Sequence, residues 1–392
     1  MLKNHELLTA FHQVYREATN LNAYFAPGRV NLIGEHIDYS GGHVFPCAIE
    51  QGTYLLIKLR GDQRVQGYSD KFADQGIFRS DLRDTGFQEE RGWFNYLVGI
   101  VDFLKKQGVS FPHGFDCFIT GTIPEGAGLS SSASLELATA YAINELYSLR
   151  LERKELALLA HRVENEYIGV RCGYMDQFAV ALGKGGHGLL LDCRNLNHEH
   201  VPLCFDNVAL VIVDSRQKRS LANSAYNERR NTCEEALALL RLHHDLDFLC
   251  DIGVKELRHM QHLLKDPVIL RRVRHAVTEN ARVMEAVAEL RSGNLRQLGH
   301  LMKESHRSLQ VDYEVSTPQL DLLAALAWKH EACIGARMTG AGFGGCTVNL
   351  VVENEIDAFI NYLAEQYHLE TGREFSHYVT AAADGVKAIP LV

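Results

Sequence analysis

The sequence has no long apolar run, little proline and no closely paired cysteines, and each absence excludes a class of protein. No stretch approaches the length of a membrane span, and residues 1–6 turn polar at once, so we expect neither a membrane protein nor a secretory signal. The nine cysteines are scattered without a Cys-x-x-Cys pair, which is typical of a reducing cytoplasm rather than of a disulfide framework. We therefore predict a cytoplasmic protein.

Basic residues are also fewer than acidic ones. The 40 Lys and Arg residues stand against 49 Asp and Glu residues, which gives a formal net charge of −9. Nucleic acids and anionic membranes attract proteins with a basic surface, so we expect neither as a partner. With 8 prolines and 46% hydrophobic residues, the composition is that of a folded globular chain.

A chain of 392 residues is long for a single core and predicts two domains. Strand-like segments dominate early and helical periodicity dominates later, which favours the α+β class. We place the domains at residues 1–204 and 205–392. Strands are predicted at 53–59, 115–119, 208–213 and 346–352, and helices at 5–18, 130–147, 152–168, 220–245, 253–265, 267–292 and 295–310.

The most informative segment covers residues 28–42. It places Arg29, Glu35, His36 and Asp38 between glycines and beside apolar flanks. Charged groups next to a core are costly unless they have partners. The pattern therefore predicts a site for a polar ligand.

A second segment, residues 121–134, follows a predicted strand and opens a predicted helix. Gly126 and Gly128 allow close backbone approach, and the serines at 130–132 precede helical N–H groups that suit phosphate. It matches neither the Walker A pattern nor the Rossmann fingerprint. A simple helix cap at these serines is the alternative interpretation.

Three further features have two interpretations each. The glycine-rich residues 338–346 indicate either a tight connection or a backbone loop against a ligand. Glu164, on a predicted helix, is either solvated or part of the site. Asp176 sits among apolar residues and either caps a helix beginning at Gln177 or seeks a partner. Histidines at 197–200, 243–244, 259 and 262 lack a third ligand at metal spacing, and Arg229–Arg230 are assigned to a solvated helix face.

Taken together and in order, residues 28–42, 121–134 and 340–345 resemble the three motifs of the GHMP kinases, a family of small-molecule kinases. The first segment is also similar to the signature of the galactokinase branch. The resemblance implies an N-terminal domain like ribosomal protein S5 and a C-terminal ferredoxin-like α+β domain. The active site would lie in the cleft between them.

The resemblance also implies a role for each matching residue. Asp176 would be the catalytic base, stabilised by Arg29. The residues implied to bind the sugar are Glu35, His36, Ile37, Asp38, Gly173 and Tyr226. The residues implied to bind ATP are Ser69, Gly126, Ala127, Gly128, Leu129, Ser130, Ser131 and Ser132. Ser132 and Glu164 would hold Mg²⁺.

The implied reaction is ATP-dependent phosphorylation of galactose at its C1 hydroxyl, by direct transfer in a monomer. A kinase for N-acetylgalactosamine differs only in the space around the sugar C2 group, which a sequence does not show. A regulator without catalysis is disfavoured by the intact Ser132-Ala133 pair. A kinase for a carboxylate substrate such as mevalonate is disfavoured by Glu35 and Asp38, because such a substrate needs cationic contacts.

Overall fold

The computed structural model of the protein describes residues 2–16, 20–124, 126–217 and 222–391. The strands are β1 (Asn22–Asn31), β2 (His43–Val44), β3 (Pro46–Leu59), β4 (Arg64–Ser69), β5 (Phe78–Asp81), β6 (Phe115–Gly121), β7 (His187–Asp192), β8 (Asn197–Pro202), β9 (Val208–Asp214), β10 (Cys333–Thr339), β11 (Cys346–Val352), β12 (Ser376–Thr380) and β13 (Lys387–Ile389). The helices are α1 (Asn4–Tyr15), α2 (Phe94–Lys106), α3 (Ser131–Leu146), α4 (Arg153–Arg162), α5 (Met175–Leu182), α6 (Ala222–Arg241), α7 (Val254–Met260), α8 (Pro267–Arg291), α9 (Leu295–Ser308), α10 (Pro318–Ala327) and α11 (Ile356–Thr371).

Each strand and helix that the sequence predicts is present, although several end differently. The ends of the predicted helices at 17–18 and 220–221 lie outside the described residues. The predicted helix 152–168 is α4 followed by a π-helical turn at Val163–Ile168, and the predicted helix 295–310 is α9 followed by a π-helical turn at Leu309–Tyr313. Such widened turns are frequent at functional sites, and both lie near the site described below.

The first half of the chain builds a six-stranded sheet in the order β13-β1-β3-β6-β4-β5. Neighbouring residues of a strand point to opposite faces, and both faces are covered. Ala23 and Phe25 of β1 pack with α1 residues, whereas Tyr24 and Ala26 belong to the large core that includes α2 and α3. Burial of both faces accounts for the nearly continuous apolar character of β1 and β3.

The second half builds a four-stranded antiparallel sheet in the order β10-β11-β9-β12. The apolar run that the sequence predicts as a buried strand is β9. Val211 and Val213 pack with α10 and α11, while Leu210 and Ile212 face the large core. A third sheet joins β2, β7 and β8.

The two halves are interleaved where they meet. The last strand, β13, returns to pair antiparallel with β1. In the loop after β1, the Gly34 N–H donates to Glu279 Oε1 of α8 at 2.9 Å, and Arg337 of β10 donates to the Asn31 carbonyl at 2.8 Å. The domain boundary near residue 205 stays a prediction. The contacts nevertheless show that the 28–42 segment is held from both sides.

Candidate active site

A cavity of about 230 Å³ lies where the segment after β1, the start of α5 and the loop after β10 converge. We call it the central cavity. Its lining residues are Arg29, Glu35, His36, Asp38, Glu164, Val170, Cys172, Gly173, Met175, Asp176, Tyr226, Gly340 and Ala341. Residues of the segments 28–42 and 338–346, which we call the first and third glycine-rich segments, therefore line the same cavity as Glu164 and Asp176.

Asp176 is held by two partners on one side of the central cavity. Arg29 donates from Nε to Asp176 Oδ1 and from a terminal nitrogen to Oδ2, both at 2.7 Å. Ser130 Oγ donates to the same Oδ2 at 2.5 Å. Asp176 lies inside the first turn of α5 rather than before it, so the helix-cap interpretation is wrong. A bidentate arginine fixes the position and orientation of this carboxylate.

Glu35 is almost fully buried and faces a cation that the sequence analysis missed. Its Oε2 lies 2.8 Å from the Arg337 guanidinium, and its Oε1 accepts the Gly340 N–H at 3.1 Å. Burial raises the pKa of Glu35 to about 7, against the opposing effect of Arg337. Arg337 directly precedes the glycine-rich residues 338–346, and this position was the one feature of the sequence that could have indicated a role at the site.

Asp38 packs against the backbone at Gly173. A Cβ at position 173 would stand 2.1 Å from Asp38 Oδ2, so this position requires glycine. Asp38 accepts the Tyr39 N–H at 3.0 Å. Burial raises the pKa of Asp38 to about 6, with the Asp176 charge acting in the same direction.

A second cavity of about 230 Å³ lies beside the first, and we call it the aromatic cavity. Its lining residues are Thr53, Ser69, Lys71, Phe72, Trp93, Tyr96, Ile119, Thr120, Gly121, Pro124, Ser131, Ser132 and Leu135. The rings of Phe72 and Trp93 are nearly parallel, with an interplanar angle of 12° and centroids 6.4 Å apart. The cavity therefore combines flat apolar walls with the hydroxyls at the start of α3.

One hydrogen bond joins the two cavities. Ser132, which lines the aromatic cavity, donates from Oγ to Oε1 of Glu164, which lines the central cavity, at 2.9 Å. Gln177 donates to the other Glu164 oxygen at 2.7 Å. Glu164 is buried on the π-helical turn, so its assignment to solvent is wrong. Burial raises the pKa of Glu164 to about 7, and the Asp176 charge adds to the rise.

The loop before α3 leaves helical N–H groups without side-chain caps. Gly126 and Gly128 have φ values of 72° and 74°, which glycine adopts without strain. Ser130 precedes the helix, but its hydroxyl bonds to Asp176 and makes no cap. The cap interpretation is therefore wrong for Ser130, and the first turn of α3 can receive an anion. Ala127 and Leu129 point into the core, so they can offer only their backbone to a ligand.

Several assigned residues lie elsewhere or have other partners. The Ile37 side chain is buried outside the central cavity. Arg229 and Arg230 are not a solvated face, because they donate to the carbonyls of Tyr313 (2.9 Å) and Arg171 (2.6 Å). Ser69 lines the aromatic cavity, and its assignment to the nucleotide stays a prediction. Within the described residues, no group of three or more His, Cys, Asp or Glu side chains could hold a metal ion by itself.

The two joined cavities, one charged and one aromatic, flank the glycine-serine entry to α3. The family comparison shows the class of protein, a GHMP kinase. The model described as GHMP kinases N terminal domain matches residues 95–184, GHMP kinases C terminal matches 286–369, and the galactokinase galactose-binding signature matches 9–59.

Relatives specify the branch. The chain is 44% identical to a galactokinase of Bacillus subtilis strain 168, covering 98% of both chains, and 43% identical to one of Enterococcus faecalis, covering 98% of this chain and 99% of the relative. The crystal structure of Lactococcus lactis galactokinase complexed with galactose matches with a TM-score of 0.96 and 39% identity, over 98% of this chain and 99% of that one. The chain belongs to the galactokinase branch of the GHMP kinase family.

Kinases outside the galactokinase branch have a similar fold. The mevalonate kinase of Methanococcus jannaschii matches with a TM-score of 0.66 at 20% identity, over 92% of this chain and 98% of that one. At that identity the likeness concerns the fold alone. The predicted GHMP kinase fold, of mixed helices and sheets, is confirmed. The likeness of its parts to ribosomal protein S5 and to ferredoxin stays a prediction. None of the described helices is long and apolar enough to cross a membrane.

Proposed function

We propose that this enzyme transfers the γ-phosphoryl group of ATP to the C1 hydroxyl of α-D-galactose, giving galactose 1-phosphate and ADP. One observation carries the proposal. Asp176, fixed by Arg29 and Ser130, lines the central cavity beside the Ser132–Glu164 bond that leads into the aromatic cavity. Asp176, as the base, would therefore contact the sugar in the central cavity. The γ-phosphoryl group would approach from the aromatic cavity, past Ser132 and Glu164.

The central cavity suits a molecule with many hydroxyl groups. Glu35 and Asp38 supply carboxylate oxygens with spare lone pairs, which accept hydrogen bonds from hydroxyls. The backbone at Gly173 and the hydroxyl of Tyr226 complete the polar lining. Glu35 and Asp38 are held by backbone N–H groups before a ligand arrives, which lowers the entropic cost of binding.

The aromatic cavity suits the nucleotide. A flat base can stack on Phe72 or Trp93, and base–aromatic stacking is typically worth about 1–3 kcal/mol. Ser69 lies on the same wall, and Ser131 and Ser132 lead from there to the start of α3. The phosphates would then lie along residues 126–132, where the first N–H groups of α3 attract negative charge.

The Ser132 and Glu164 oxygens fit a magnesium ion. Mg²⁺ prefers oxygen ligands and is usually bound by one or two carboxylates together with substrate phosphates. A hydroxyl and a carboxylate already 2.9 Å apart, with Gln177 fixing the second carboxylate oxygen, provide such a partial set. When bound, the ion would neutralise charge on the β- and γ-phosphates.

The remaining chemistry belongs to the side chains of the protein. The C1 hydroxyl is a weak nucleophile, and Asp176 would accept its proton as the oxygen attacks phosphorus in line with the leaving ADP oxygen. Arg29 bonds to both oxygens of Asp176 and would offset the charge that develops during transfer. Ser130 holds the carboxylate in place from the side of the phosphate loop.

A turnover assay with three sugars tests the proposal. Purified protein receives ATP and Mg²⁺ with galactose, glucose or N-acetylgalactosamine, and ADP release is followed. We expect release with galactose, and phosphorus NMR should locate the new phosphate at C1. Absence of galactose-dependent ADP would refute the function, and equal turnover of N-acetylgalactosamine would refute the stated specificity.

The proposal includes a monomer in the cytoplasm. All nine cysteines are free, which fits a reducing compartment. Light scattering of the purified protein should give the mass of a single chain, 44.0 kDa, and twice that mass would refute the monomer.

A further inference from the structure

Four side chains form a continuous series of hydrogen bonds that begins at His36 in the wall of the central cavity. His36, Tyr313 and Cys233 are buried, and Tyr39 is half-buried. His36 Nε2 lies 3.0 Å from the Ala341 carbonyl oxygen, and His36 Nδ1 lies 2.9 Å from the Tyr39 hydroxyl. That hydroxyl lies 2.7 Å from the Tyr313 hydroxyl, which in turn lies 3.2 Å from Cys233 Sγ. This series of hydrogen bonds connects the third glycine-rich segment with the first, and continues through the π-helical turn after α9 to α6.

The carbonyl at one end fixes the direction of every bond. A carbonyl oxygen only accepts, so His36 Nε2 carries the hydrogen and Nδ1 is an acceptor. Tyr39 must then donate to Nδ1, Tyr313 to Tyr39, and the Cys233 thiol to Tyr313. Burial lowers the pKa of His36 to about 3, which agrees with a neutral ring.

This arrangement uses the full hydrogen-bonding capacity of the ring. A neutral imidazole has one donor and one acceptor, and the protein occupies both. His36 is 4% exposed, and its ring also packs between Tyr226 and Tyr313, with centroids 5.3 and 5.0 Å away. A sugar hydroxyl could bond to a ring nitrogen only by displacing one of these partners.

The two hydrogen-bond partners of the His36 ring, Ala341 and Tyr39, are each next to a backbone N–H that bonds to a carboxylate of the cavity. Ala341 follows Gly340, whose N–H bonds to Glu35. Tyr39 follows Asp38 and donates its backbone N–H to it. A ring locked between Ala341 and Tyr39 therefore sets the spacing of Glu35 and Asp38 across the cavity.

We propose that His36, Tyr39 and Tyr313 form a directed relay that positions Glu35 and Asp38 for the sugar, and that no ring nitrogen of His36 bonds to a sugar hydroxyl. Cys233 of α6 donates its thiol hydrogen to Tyr313 in the same series of bonds. The inference rests on the proposed function for the identity of the sugar, but the relay itself is a property of the free protein. These are positioning residues, because they act through the two carboxylates.

Nitrogen NMR of the free protein tests the relay independently of function. With ¹⁵N-labelled histidine, His36 should show a protonated Nε2 and an unprotonated Nδ1 from pH 5 to 8, and galactose should leave that assignment unchanged. Tyr39→Phe should shift the Nδ1 signal toward that of a nitrogen without a donor. A protonated Nδ1, or loss of the Nε2 proton signature when galactose binds, would overturn the proposal.

Kinetics of three variants test the positioning role. Tyr39→Phe leaves Nδ1 without a donor, so we expect KM for galactose to rise about tenfold, with smaller rises for Tyr313→Phe and then Cys233→Ala. The kcat and KM for ATP should stay within about twofold. Tyr15→Phe is the matched control, because it also loses one hydrogen bond, to the Cys117 carbonyl at 2.9 Å, far from the cavity. Equal effects on both substrates, or a change in the control, would contradict the relay.

Discussion

The two cavities meet at one hydrogen bond but are built in opposite ways. The central cavity draws on distant parts of the chain, with Arg29, Asp176, Tyr226 and Gly340 on its wall. The lining of the aromatic cavity comes entirely from residues 53–135. A molecule with many hydroxyls needs directional groups placed by several elements, whereas a flat base needs mainly apolar area.

The two cavities also differ in the number of charged side chains that line them. Two carboxylates of the central cavity have a cationic partner, Arg337 for Glu35 and Arg29 for Asp176. Asp38 and Glu164 are held by hydrogen bonds from neutral groups instead. Buried charge is costly without such partners, and burial still raises the pKa values of Glu35 and Asp38. We therefore expect the central cavity to be sensitive to loss of single groups and to pH, and the aromatic cavity to be more tolerant.

The largest effect is expected at Asp176. Asp176→Asn removes the proton acceptor but keeps the shape of the side chain, so kcat should fall about 10²- to 10⁴-fold. Galactose affinity, measured by calorimetry, should change far less. Ser130→Ala, which removes one hydrogen bond to Asp176, is the milder control. Near-wild-type turnover of Asp176→Asn would remove this residue from the base role.

The next effect concerns the buried Glu35–Arg337 pair. Arg337→Met leaves Glu35 buried without its cation, so we expect a loss of about 3–5 kcal/mol in the free energy of unfolding. Denaturant titration measures it. Arg162→Met, which breaks the exposed pair with Glu166, should cost at most about 1 kcal/mol. Similar losses in the two variants would show that the pair is not buried as described.

A substitution in the aromatic cavity should separate the two substrates. Trp93→Ala removes a stacking surface, so KM for ATP should rise about tenfold while KM for galactose stays unchanged. Phe87→Ala is the matched control, because Phe87 is 51% exposed and lies outside both cavities. A parallel rise in KM for galactose would mean that the cavities are not independent.

The smallest effect is a difference in pH dependence. The pKa values of Glu35 and Asp38 are raised to about 7 and about 6, so lowering the pH from 7.5 to 5.5 protonates acceptors that galactose needs. Galactose affinity without nucleotide should then fall about five- to tenfold. Adenosine affinity, which depends on no such group, should stay nearly constant. Galactose binding that is flat over this range would contradict the assignment of both carboxylates.

Local pattern was enough to find most of the elements and many of the groups in the cavities. Arg29, Glu35 and Asp38, which lie between glycines, could be assigned to a site because charged residues next to apolar ones are costly to bury without partners. Partners across the chain were harder to find. Arg337 had a weak signal next to a glycine-rich segment, and Tyr313 had none, because its contact with Tyr39 joins residues 274 apart.

Ambiguities of single residues were also resolved by packing. Glu164 looked solvated on a helix, and Arg229 and Arg230 looked like a polar face. Helical periodicity describes one element, while burial depends on what packs against it. The π-helical turn that carries Glu164 has no signal in the periodicity at all.

The sequence by itself determined the element order, the glycine-rich segments and the family to which they belong. These depend on residue type and spacing along the chain, which local chemistry fixes. Tertiary structure alone decided that Arg337 faces Glu35, that Ser132 and Glu164 join two cavities, and that both nitrogens of His36 already have partners. Such contacts unite distant residues, and their strength comes from exclusion of water in the folded chain.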